Sequence, residues 1–196
     1  MVKKVIKFFL FFIFAIINAN EIEYSINKIP LTNNNKYNYK FLVAGHTYGS
    51  PSNKRSLFPS PSLISNIDMI DSMDIDFMVL LGDSYWKSDS IYINNFKKSF
   101  LNKISCPVFN VVGNHELFGE IYYEEYFDKT FYSFVYSNDL FVFLNSEKYL
   151  NKQNRFLEKI ITSVKKDHTI NRIFLFSHKL LWVINEPKYK NVYKGL

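Results

Sequence analysis

Apolar and polar positions alternate along this chain in blocks that name their own elements. Phe41, Leu42 and Val43 run on without a polar break inside Tyr39–Gly45, which predicts a buried strand. Ser60-Pro61 supplies a capping hydroxyl and then a proline at the first turn of a helix, and Leu63, Ile64, Ile67, Ile70 and Met73 follow at helical spacing. Phe77–Leu81 predicts the next strand. Ile91–Ile104 predicts a second amphipathic helix with Phe96, Phe100, Leu101 and Ile104 on one side, and Val108–Val112 a third strand. The later part differs: Phe131–Tyr136 and Leu140–Leu144 flank Ser137-Asn138-Asp139 as an antiparallel hairpin. Asn151 can cap a helix carrying Phe156, Leu157, Ile160, Ile161 and Val164, and Ile173–Phe176 is a last buried strand. Strand–helix alternation followed by a hairpin predicts an α/β fold with a parallel half and an antiparallel half.

The amino terminus adds a segment of another kind. Lys3, Lys4 and Lys7 precede an apolar run, Phe8–Ile17, and Ala19 stands just before Asn20 and Glu21. That is the layout of a signal peptide over residues 1–19, with a run too short for a comfortable membrane span. It predicts an extracytoplasmic protein, periplasmic or secreted, or one anchored through an uncleaved leader. Residues 20–38, with Asn33-Asn34-Asn35, read as a linker to a domain over 39–196. Loss of the three leader lysines lowers the formal charge from +6 to +3, which makes no case for a nucleic-acid groove. The single cysteine, Cys106, excludes an internal disulfide framework and a cysteine-based zinc site.

Polar residues collect just past the ends of the buried strands: Gly45-His46-Thr47-Tyr48-Gly49, Gly82-Asp83-Ser84, Gly113-Asn114-His115-Glu116 and Ser177-His178. In an open parallel sheet such ends converge on one crevice. Three of the four histidines stand there; the fourth, His168, reads as a solvated loop residue. Gly82-Asp83, then Gly113-Asn114-His115-Glu116, then Ser177-His178 resemble successive motifs of the calcineurin-like metallophosphoesterases over about residues 39–182. The resemblance implies two packed mixed β-sheets flanked by helices, and hydrolysis of a phosphate ester by metal-activated water. It assigns Asp83 as a carboxylate able to bridge two divalent ions, with Asn114 and His178 as further metal ligands. This nitrogen and oxygen set suits Mn, Fe or Zn. His115 would be the general acid facing the scissile phosphate, and Glu116 would hold its ring and keep it charged.

The chain also departs from the family pattern. The first motif should present Asp-x-His, and here either His46 takes the His place with Ala44 for the Asp, or His46 replaces the Asp and Tyr48 the His. In both registers His46 is the strong donor that remains. Trp86 stands where the second motif usually has a polar residue, and no Gly-His-x-His follows, so the resemblance implies a domain incomplete at its carboxyl end. The ligands left imply one ion, at most two. The expected partner is a phosphate-ester small molecule or an envelope component. Two alternatives follow: a catalytically degenerate binding protein on the same scaffold, and a GDSL-type esterase with Ser84 as nucleophile, suggested by Gly82-Asp83-Ser84.

Overall fold

The computed structural model describes residues 21–22, 25–32, 36, 38–50, 52–119, 122–148 and 151–180. The expected signal peptide, residues 1–19, lies outside them. Two short strands, β1 (Glu21–Ile22) and β2 (Leu31–Thr32), pair with each other. Then come β3 (Phe41–Ala44), α1 (Pro61–Ser65), α2 (Ile67–Ser72), β4 (Phe77–Leu80) and α3 (Ser90–Phe96), which runs into a π-helical turn over Lys97–Leu101. After β5 (Val108–Asn110) and α4 (Tyr123–Phe127) follow β6 (Tyr132–Tyr136), β7 (Asp139–Phe143), α5 (Asn151–Val164) and β8 (Arg172–Phe176).

The class is α/β, as expected, built on two three-stranded sheets. Strands β3, β4 and β5 lie side by side and all parallel, whereas β7 pairs antiparallel with β6 and parallel with β8. The period of two along each strand divides the core into layers. Phe77, Val79, Phe109 and Val111 point to one face of the first sheet and meet Phe134, Tyr136, Phe141 and Phe143 of the second. On the other face Met78, Leu80 and Val108 pack under Leu63, Ile67, Ile70, Ile93 and Phe96 of the helices. Leu140, Val142 and Leu144 face Phe156, Leu157 and Ile160 of α5. The result is helices, sheet, sheet, helix, with aromatic rings between the sheets, among them Phe41 stacked on Phe77 at 5.2 Å.

Several expectations are corrected in detail. The helix expected from Ser60 to Met73 breaks at Asn66, whose amide donates to Ser62 O at 2.7 Å, competing with the backbone ladder. Ser60 makes no side-chain cap; its hydroxyl meets the Ser62 hydroxyl instead. Asp89, not an expected residue, caps α3 by accepting from Ile91 N. The segment read as a linker enters the core: Ile26 and Leu31 are buried, and Ile26 N donates to Val108 O at 2.7 Å along β5. The hairpin closes through a two-residue turn, Ser137 and Asn138, both at positive φ (50° and 64°), the handedness that matches strand twist. His168 is exposed, as expected.

Two charge clusters tie down the end of the sandwich where β7 and β8 begin. Arg172 grips Asp139 with Nη2 at 2.6 Å and Nε at 3.1 Å, and Tyr39 donates to the same carboxylate. Asp76 accepts from Lys36, Lys40 N and Tyr136. Burial pushes both carboxyls up, but these donors outweigh it and hold each below the ordinary carboxylate range. A carboxylate held low contributes stability above its unfolded pKa of about 3.9 and loses it as pH falls through the folded value. The melting temperature is therefore expected to be level from pH 7 to 5 and to fall below pH 4. Asp139→Asn should lower the plateau and flatten that fall, as pH-dependent thermal melts would show.

Candidate active site

The backbone ladder of β3 and β4 continues past the strands: His46 N donates to Gly82 O at 3.1 Å and Tyr48 N to Asp83 O at 3.2 Å. His46 (φ 53°) and Asp83 (φ 55°) both adopt the left-handed conformation there. This turns their side chains toward each other. His46 Nδ1 stands 3.3 Å and His178 Nε2 3.5 Å from one oxygen, Asp83 Oδ2. The other oxygen, Oδ1, accepts the His115 amide at 3.2 Å. So His46 and His178 share one pivot.

Glu116 is wholly buried, and its carboxylate does not reach the His115 ring as expected. Oε2 accepts from Asp83 N and Gly113 N, both at 2.8 Å, and Oε1 from Ser84 N at 2.7 Å. One side chain thus knots the loop after β4 to the loop after β5. Burial pushes its carboxyl up, against the three amide donors. Glycine is required where these loops touch: a Cβ on Gly113 would lie 2.2 Å from Asp83 Oδ1, and one on Gly82 2.6 Å from Gly113 N.

His115 is oriented by groups the sequence did not single out for that role. Its Nδ1 donates to Trp86 O at 2.6 Å, which leaves Nε2 to accept the Tyr48 hydroxyl at 2.9 Å. His46 and Tyr48 of the first motif thus both face this site, one at Asp83 and the other at His115. Asn114, exposed, precedes His115 in the loop after β5. Ser84 is 1% exposed, and among the described residues its Oγ has no hydrogen-bond partner and so no base beside it, which a serine nucleophile needs. Nothing in this arrangement supports the esterase alternative.

A divalent ion is chemically compatible with this donor set. His178 Nδ1 donates to Leu81 O at 2.7 Å, so in the neutral ring Nε2 presents a lone pair to Asp83 Oδ2. Two acceptors facing each other can be bridged by a cation or, with the ring protonated, by a proton. Ligands about 2.0–2.2 Å from a tetrahedral ion stand about 3.4 Å apart, and the two His–Asp spacings match. Among the described residues no group of three or more His, Cys, Asp or Glu forms a complete metal-holding cluster.

The model of the calcineurin-like phosphoesterases matches residues 40–192, and this chain belongs to that family. Its fold is similar to that of the purple acid phosphatase PPD1 isolated from yellow lupin (Lupinus luteus) seeds, with TM-score 0.52 and 18% identity. That likeness covers 75% of this chain and 31% of the lupin chain. No curated protein sequence matches this one. Family membership implies use of a divalent metal.

Proposed function

We propose that this protein is a metal-dependent phosphoesterase whose ion is held by His46, Asp83 and His178. The observation that carries the reading is the convergence of two imidazole nitrogens on Asp83 Oδ2, one of them with its ring proton committed elsewhere. Manganese, iron or zinc suits these donors, in a number nearer one than two per chain, with Asn114 at the rim as a further donor. A divalent ion bound there supplies the positive charge that polarises a phosphate ester and eases ionisation of water. Asp83 neutralises and places that charge. In its protonated form His115, held by Trp86, would give a proton from Nε2 to the leaving oxygen once the Tyr48 hydroxyl swings off that nitrogen. The substrate is a phosphate-ester small molecule or envelope component, met outside the cytoplasm if residues 1–19 direct export.

Metal analysis together with 4-nitrophenyl phosphate turnover tests the reading. His115→Ala should keep the metal yet lower turnover by about 10²–10⁴-fold, the usual worth of a placed proton donor. Ser84→Ala should leave turnover within about twofold, since its hydroxyl touches nothing polar. The second reading, a binding protein on this scaffold, is favoured by the Tyr48 hydroxyl sitting on the working nitrogen of His115. Bound metal with no turnover of phosphomonoesters or diesters would select it.

A further inference from the structure

Beside Asp83 the surface opens into a cavity of about 460 Å³, lined by His46, Tyr48, Gly49, Ser50, Lys54 and Ser60. Small-molecule sites run from about 300 to 1,000 Å³, so there is room here for much more than one phosphoryl group. None of these described lining residues is acidic. The wall that carries Lys54 is folded tightly: Ser50 and Asn53 exchange backbone hydrogen bonds at 3.1 Å each, and Ser60 N closes onto Thr47 O at 2.7 Å. Gly49, at φ +67°, allows the approach, since a Cβ there would meet Lys54 O at 3.1 Å. Arg55 follows, its backbone N–H on Asn53 Oδ1 and its guanidinium 5.6 Å from the centre of the Trp86 ring, whose carbonyl holds His115. Neither Lys54 nor Arg55 has an acidic side-chain partner among the described residues. With Arg55 over it, the Trp86 ring presents an outside group with positive charge more than a stacking face.

We infer that Lys54 and Arg55 form an anion-binding arm, and that the substrates of this site are small phosphate esters with a second phosphate or carboxylate a few bonds from the scissile group. The inference rests on the phosphoesterase reading for the identity of the first phosphate. A lysine and an arginine without acidic partners, on a short, internally bonded loop beside Asp83, are placed to take the second anion by charge-assisted hydrogen bonds. Calorimetric titration of the metal-loaded full chain with propane-1,3-diol bisphosphate and with propyl phosphate tests it. The bisphosphate should bind about tenfold more tightly, the worth of one hydrogen bond between charged groups. In Lys54→Ala and in Arg55→Ala the ratio should fall toward about two, the statistical factor for two identical ends. Equal affinities in the parent protein, or a preference that survives both substitutions, overturn the inference. Phosphate release, measured alongside, separates it from the reading beneath: preferred binding without release sustains the arm and sinks the phosphoesterase, and release without preference does the reverse.

Discussion

Asp83→Asn is expected to strip the protein of its divalent ion and to abolish phosphate-ester turnover while leaving the fold intact. Asparagine tolerates the left-handed backbone at this position and can still accept the His115 amide. The backbone N–H that Asp83 gives to Glu116 is untouched. What disappears is the negative charge at the oxygen shared by His46 and His178. Without it two imidazoles face an amide, a set with little hold on a dication. Elemental analysis should find the metal gone, and thermal melts should stay within a few degrees of the parent. Full metal content in Asp83→Asn would place the ion elsewhere.

Glu116→Ala should do the opposite, damaging the fold and the site together. Three buried backbone N–H groups, those of Asp83, Ser84 and Gly113, would lose their acceptor at once. Each unsatisfied buried group costs about 1–3 kcal/mol, so a loss of at least about 3 kcal/mol is expected. In a domain of this size that lowers the melting temperature by about 6–12 °C. Glu116→Gln should fall between, because its oxygen can serve one side of the carboxylate's role while its NH₂ confronts a donor on the other. Calorimetric melts of the pair measure this, and a Glu116→Ala protein as stable as the parent would mean that water replaces the carboxylate.

Most of the sheet framework was legible because β4 and β7 are buried on both faces and so read as unbroken apolar runs. The short elements were not: two-residue strands in an asparagine-rich stretch, and a five-residue helix over Tyr123–Phe127, carry too few positions to show a period. The placement of His46, Asp83 and His178 was readable from strand ends alone, since topology brings such ends together. The work of Glu116 was not readable, because its partners are backbone amides from two loops and no side-chain pattern records them. The Tyr48 contact with His115 was hidden for a related reason: it depends on how the first loop folds back against Pro59.

The close fit of Gly82 and Gly113 bears on how this chain can drift. With backbone atoms less than 3 Å from any added carbon, neither loop can accept a side chain unless the other moves. The second and third motifs are interlocked, and a lone substitution in either is penalised by its neighbour. At His46 and Tyr48 the first loop carries no such interlock, the His46 side chain being 65% exposed and Tyr48 only partly buried. A directed-evolution library aimed at new metal or substrate preference would return Gly82 and Gly113 unchanged, whereas substitutions at His46 and Tyr48 would fold and would change what meets Asp83 and His115.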